Sequence, residues 1–225
     1  MDFFSTEFLS ALLAIVVIDL VLAGDNAIVI GMAARNLPKE NQKKVIIWGT
    51  VGAIVIRALA TLAVVWLLKI PGLLVSGGLL LIWIAYKLLT DEKDHEDVQA
   101  GNNIFAAIRT IIIADTVMGL DNVLAVAGAA HGDFLLVVIG LIISVPIMVW
   151  GSTMILRLIE RFPVIIYIGA GVLALTAAKM IVKEPFLSAY FANPVIKWGF
   201  TAIVIIGVLF AGIKKKQANA MKSAA

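Results

Sequence analysis

Seven apolar stretches, each long enough to cross a bilayer, leave this 225-residue chain little sequence with which to build anything else. A hydrocarbon core of about 30 Å takes roughly 20 helical residues at 1.5 Å each. Hydropathy places the spans at about 7–32, 45–68, 72–90, 104–130, 134–156, 163–183 and 195–213. Backbone groups in lipid must find their partners inside the segment, so the expected fold class is all-α, a polytopic bundle forming one transmembrane domain over 1–225. A chain that is 62% apolar and 15% charged is not a soluble domain, and its function is expected inside the membrane. The opening Met1-Asp2-Phe3-Phe4 lacks a basic stretch and a small-residue cleavage site, so the first run reads as a retained helix. The absence of Cys excludes disulfides, thiolate metal sites and cysteine nucleophiles, and leaves hard, oxygen-preferring cations open.

Lys and Arg set the expected orientation. Arg35, Lys39, Lys43, Lys44, Lys87, Lys93, Arg109, Arg157, Arg161, Lys214, Lys215, Lys216 and Lys222 fall on one side of the bundle, and Lys69, Lys179, Lys183 and Lys197 on the other. The richer side belongs in the cytoplasm, which puts the N-terminus outside and the C-terminus inside. The basic residues are thus placed by topology, and no nucleic-acid partner is expected.

Within the apolar runs one acidic phrase occurs twice. Asp19-Leu-Val-Leu-Ala-Gly-Asp25-Asn26-Ala27 returns 96 positions later as Asp115-Thr-Val-Met-Gly-Leu-Asp121-Asn122-Val123. Helices 1 and 4, which carry the copies, run in opposite directions. Pro71, Gly77 and Lys87 align with Pro163, Gly169 and Lys179 at a constant shift of 92, so the third helices correspond as well. An inverted repeat is expected, 7–90 against 104–183, joined by a cytoplasmic loop at 91–103 and followed by an added helix. The second helices align poorly, and Arg57 has no basic counterpart.

One Asp at a bilayer centre costs roughly 2.5 to 3.5 kcal/mol on insertion scales, so four at matched places call for a purpose or a partner. On a straight helix Asp19 and Asp25 lie about 9 Å apart along the axis and about 120° apart around it, too far to grip one ion together. Either an ion is shared between helices 1 and 4, or the helices open near Gly24 and Gly119 and free backbone carbonyls. Crossing the antiparallel helices at the motif centres would set Asp19 near the depth of Asp121 and Asp25 near that of Asp115, with Asn26 and Asn122 alongside. Carboxylate, amide and backbone oxygens suit Mg²⁺, Ca²⁺ and Mn²⁺ and do not choose among them. Arg57, in the middle of helix 2, is expected to face the bundle as a counter-ion or gate. With it the interior carries a formal charge of minus three, consistent with a dication exchanged against protons.

Other features have plainer readings. Gly24, Gly31, Gly77, Gly119, Gly128 and Gly169 read as close-packing points between helices. His131 reads as a helix-end residue or a guard of the outer entrance. The run from Asp91 to Asp97 reads as a solvated loop, with weak cation collection or regulation as the alternative. Trp48, Trp66, Trp83, Trp150 and Trp198 read as interface or packing aromatics.

The two phrases, with Arg157 to Pro163 and the Gly-Ala-Gly helix that follows, resemble the TerC family over nearly the whole chain, in its short bacterial YjbE-type branch of the lysine-exporter-like superfamily. The resemblance implies a bacterial cytoplasmic membrane protein whose site is Asp19, Asp25, Asn26, Asp115, Asp121 and Asn122. It also implies a role in manganese export or metal homeostasis, with the loading of exported metalloenzymes and an older tellurium-resistance association also attached to the family. The leading expectation is therefore a secondary transporter rather than an enzyme, with a transported dication, manganese before calcium or magnesium, and no permanently bound cofactor. An accessory membrane protein supporting secretion or stress-response complexes is the alternative. An intramembrane aspartyl protease needs two carboxylates sharing a proton, whereas this pattern offers four with amides beside two of them. An amino-acid exporter would present its carboxylate substrate to an acidic interior.

Overall fold

The computed structural model describes residues 5–67, 70–90, 100–130 and 133–223; within these the side chains at 20–23, 64–67, 100–103, 121, 122, 124, 125, 127, 220, 222 and 223 lie outside the description. The acidic run 91–97, His131, and the side chains of Trp66, Asp121 and Asn122 therefore fall outside the described residues.

The described residues form α1 (Thr6–Ala34), α2 (Lys39–Leu67), α3 (Leu73–Thr90), α4 (Ala100–Ala129), α5 (Phe134–Arg161), α6 (Val164–Lys183) and α7 (Pro194–Ser223). No strand occurs among the described residues. Five of these helices are long and apolar enough to cross a membrane, and α1 makes a sixth if its two halves, Thr6–Asp19 and Gly24–Ala34, inclined by 47°, form one span. At 30 residues α4 has comparable length, with its second acidic pair outside the described side chains.

Helix ends outrun the hydropathy reading where polar residues continue a helix beyond the hydrocarbon. The expected start of the second span, 45, becomes Lys39, and the seventh continues from 213 to Ser223 through Lys214, Lys215 and Lys216. Lys and Gln are good helix formers, so loss of hydrophobicity is not loss of helix. Basic side chains at several ends lie over aromatic rings: Lys87 over Trp83, Lys214 over Phe210 and Lys216 over Tyr167, at 5.3, 4.6 and 5.5 Å from the ring centroids. That is how long cationic side chains cover apolar surface while keeping their charge outward.

The chain divides into two compact units, residues 1–70 with 99–157 and residues 71–98 with 158–225. The units cut across the expected repeats: the first takes α1, α2, α4 and most of α5, the second α3, α6 and α7.

In the first unit α2 packs on α4 and α1 on α4. One apolar cluster joins Phe8, Ala11 and Ile15 of α1 to Val126 of α4 and Ala130 just beyond it, with Leu136, Leu141 and Met148 of α5. A second joins Ile30 and Ala34 of α1 to Ala107 and Ile111 of α4, with Val45 and Ile46 of α2 and Leu156 of α5. The start of α1 meets the end of α4 and the reverse, so the two helices are antiparallel. Glycines permit close approach here: a Cβ on Gly49 would lie 2.7 Å from Ile111 Cδ1, and one on Gly140 would lie 2.5 Å from Ile15 Cγ2.

In the second unit α3, α6 and α7 pack mutually. A Cβ on Gly78 would lie 2.8 Å from the backbone oxygen of Ala177, an atom that cannot yield without moving α6. Beyond the end of α6, the buried carboxylate of Glu184 accepts hydrogen bonds from the backbone N–H groups of Gly72 and Leu74, at 2.9 and 3.1 Å. These are donors at the start of α3 that the helix itself cannot satisfy, and the negative charge suits the positive end of the helix dipole. Gly72 turns into the helix at φ +80°, a conformation that favours glycine.

Gly78→Ala is expected to lower the unfolding midpoint in detergent by separating α3 from α6; an unchanged midpoint would show that the two helices can part at no cost. Glu184→Ala should destabilise by about 1 to 3 kcal/mol, the usual loss for hydrogen bonds to a buried charge, read from reversible unfolding in mixed micelles.

Candidate functional site

Along α1 one face runs Phe8, Ala11, Ile15, Asp19, and along α4 one runs Ile111, Ala114, Asp115, Met118. The antiparallel packing brings these faces together with the two leading carboxylates between the two apolar clusters. Asp19 is 1% exposed and Asp115 3%.

The group between them comes from a third helix. Arg57 of α2 is 2% exposed, donates from Nη1 to Asp19 Oδ1, and donates from Nη2 to Asp115 Oδ1 at 2.7 Å. Both contacts are salt bridges. A guanidinium presents donors in a planar fork, so one side chain can hold two carboxylates that approach from different helices, which a lysine ammonium does less well. Gly119, one turn beyond Asp115, leaves room for it: a Cβ there would stand 3.3 Å from Arg57 Nε. The equivalent glycine in the first phrase, Gly24, faces open space, with nothing within 4 Å of where its Cβ would be. It closes the stretch over which α1 bends, and no proline is present there; glycine is a common site of such kinks.

Asp19 meets Asp115 at Arg57, a contact the motif centres do not predict, while Asp25 acts on Asp115 as their crossing leads one to expect; the Asp121 side chain, expected beside Asp19, lies outside the described residues. A single cation from α2 draws the two leading carboxylates to one place, and α1 bends just past Asp19. The second pair behaves differently. Asp25 is half-buried, accepts from the backbone N–H of Asn26 at 3.1 Å, and acts electrostatically on both Arg57 and Asp115. Asn26 is 1% exposed. Asp121 and Asn122 lie on α4 two turns from Asp115, with their side chains outside the described residues.

The layer is incompletely satisfied. Among the described residues, Asp19 Oδ2, Asp115 Oδ2, Arg57 Nε, both amide atoms of Asn26 and the hydroxyl of Thr50 are buried without a hydrogen-bond partner. Each such group costs about 1 to 3 kcal/mol if nothing compensates it. Asn26 follows Asp19 by seven residues and Thr50 precedes Arg57 by seven, about 10 Å along each helix and on nearly the same face. Both lie on the side of the ion pairs where the second apolar cluster closes. A cation could satisfy the oxygen atoms in this set, which are hard donors, but not its N–H groups, and the Asn26 and Thr50 oxygens lie about 10 Å along their helices from the ion pair, so they belong to a position separate from that of the two carboxylates. Among the described residues no three acidic or imidazole side chains already form a cage. The position between the two carboxylates is held by Arg57.

Thr50 was not among the sequence candidates, although the spacing Thr50, Arg57, Thr61 puts three polar residues on one face of an apolar helix. Thr61 is itself satisfied, its hydroxyl donating to the Arg57 backbone oxygen at 2.8 Å. Gly119 as the seat of the guanidinium could not be found from spacing, because it depends on where α2 lies around α4.

Comparison with known proteins gives a consistent picture. A family model described as "Integral membrane protein TerC family" matches residues 4–220. The uncharacterized membrane protein YjbE of Bacillus subtilis is 48% identical over 83% of this chain and 86% of its own length. YkoY of the same organism, also described as an uncharacterized membrane protein, is 25% identical over 93% of this chain and 74% of its own length. The UPF0053 protein YegH of Escherichia coli is 22% identical over 91% of this chain and 40% of its own length. No solved structure matches the chain.

Replacing Arg57 by Met should strand two buried carboxylates and destabilise the protein by about 3 to 5 kcal/mol. Adding Asp115→Asn to that variant should recover part of the loss. Strictly additive effects in a double-mutant cycle, measured by unfolding in mixed micelles, would show that the pair is not coupled.

Proposed function

This chain belongs to the TerC family of integral membrane proteins, and from that premise we propose that it is a secondary transporter exporting a divalent cation, with manganese as the first substrate to test. The observation that carries the reading is the meeting of the duplicated phrases. Asp19 and Asp115, 96 residues apart in sequence, lie buried at one guanidinium between two apolar clusters, each with an oxygen that has no partner among the described residues. A purely structural role would favour full satisfaction of both carboxylates. Asp25 with Asn26, on one side of this layer, gives a dication further oxygen ligands.

Opening the Ile30–Ile111 cluster would admit the ion from one side and opening the Ile15–Val126 cluster would release it to the other. With basic residues Lys39, Lys43, Lys44, Arg109 and Arg157 gathered at the first of these ends, that side is assigned to the cytoplasm. Matched packing supports an inverted repeat as the basis for two equivalent openings. Ile111 lies against Gly49, and Ile15 lies against Gly140. The isoleucines are 96 apart and the glycines 91 apart, and Thr61 and Ser152 are also 91 apart. Each of those hydroxyls donates to the backbone oxygen four residues back. That register supplies an alignment for the second helices, which hydropathy alone does not.

Cells lacking the gene should accumulate more manganese and tolerate it less under manganese load than cells carrying it. Equal content and equal sensitivity would end the export assignment. The double substitution Asp25→Asn with Asp121→Asn should reduce metal flux in proteoliposomes to that of empty vesicles while the protein still inserts. An accessory protein of a secretion complex would move no metal in purified form, so flux by the purified wild type separates the two readings.

A further inference from the structure

Arg57 occupies the place between the two leading carboxylates where a transported cation would be neutralised. We propose that Arg57 is a built-in substitute for the substrate: it offsets half of the negative charge of the two leading carboxylates when no metal is bound, gives way when the metal enters, and so lets the empty transporter change sides. The inference rests on the transport reading and adds its counterpart, the return step.

The physical ground is the charge of the layer in a medium with little solvation. Two carboxylates alone would present two negative charges to apolar surroundings during any rearrangement, at several kcal/mol for each. A carrier of that kind is held in place when empty and moves quickly only with cargo, exchanging ion for ion. Here the guanidinium already bridges Asp19 and Asp115, both at most 3% exposed, with apolar clusters closed on both sides. An arginine performs this better than a proton would, because it stays charged throughout and carries its own positive charge to two carboxylates at once.

The surroundings fit a side chain that changes partners. Gly119 clears the path of the stem, and a Cβ there would crowd Arg57 Nε at 3.3 Å. Among the described residues the guanidinium Nε has no partner, and each carboxylate keeps one oxygen without one. A guanidinium fixed for structure alone would be expected to use these donors and acceptors. The substitute is also single. In the register of Gly49 with Gly140, the counterpart of Arg57 is Met148, buried in the Ile15–Leu141 cluster. One cation serves both acidic phrases, as a substrate ion would.

The test compares two fluxes of manganese from purified protein in liposomes: net flux into a metal-free compartment, and tracer exchange with manganese on both sides. A substitute that carries the empty form across predicts wild-type exchange within about threefold of net flux. Arg57→Gln, which removes the charge, should raise the ratio of exchange to net flux about tenfold or more, and Arg57→Lys should fall between. Wild-type exchange more than about tenfold faster than net flux would overturn the inference without any variant. So would an Arg57→Gln ratio equal to that of wild type. If Arg57→Gln does not insert, the wild-type ratio decides, together with Arg57→Lys, whose ratio should lie above that of wild type. Wild-type protein that moves no manganese in either mode would instead remove the transport reading, and this inference with it.

Discussion

A guanidinium shared by two carboxylates, deep between apolar surfaces, is the interaction on which the first unit depends. Without it α1 and α4 would each bring a bare negative charge to their common face, and the packing of Ile15 with Gly140 or Ile111 with Gly49 could not close over that repulsion at the same separation. With it, antiparallel helices of similar sequence can approach, one of them bent by 47° just past its carboxylate. The remaining unpartnered polar atoms of Asp19, Asp115, Asn26 and Thr50 follow from the same geometry: a single cation can reach two oxygens but not the rest.

The division into units separates two kinds of physics. In the first, buried polar groups line the helices that carry the acidic phrases. In the second, α3, α6 and α7 meet through small residues and aliphatic side chains, with Gly78 against the Ala177 backbone, and the buried carboxylate of Glu184 lies at a helix start rather than in mid-span. Each expected repeat contributes its first two helices to the ion-pair unit and its third to the other. Duplicated sequence therefore does not fold as two duplicated bodies. The matched helices find each other across the repeats, α1 with α4 and α3 with α6.

Asymmetry within that scheme is confined to a few positions with large consequences. Arg57 stands where its counterpart is Met148, and Gly119 seats the arginine stem while Gly24 faces open space. One such cation leaves the two carboxylates with a single net negative charge, whereas a second would cancel the charge of the pair altogether.

Much was legible in the residues themselves. The lengths of the apolar runs determined seven helices, because a backbone in lipid has no other way to satisfy its polar groups along one segment. Period and position along each helix determined that Asp19, Asp115 and Arg57 lie near mid-span and that Asn26 repeats the face of Asp19. Hydropathy missed the polar extensions of α2 and α7, because it reads the membrane and not the helix. What only the tertiary structure decided was rotation and approach: which face of α2 turns toward α4, that one guanidinium takes both leading carboxylates, that Gly119 is its seat, and that Glu184 caps α3 from 110 or more residues away in sequence. Spacing along a helix fixes depth and direction relative to that helix alone, whereas partners depend on the angle and distance between helices, which are set by the packing of many side chains at once.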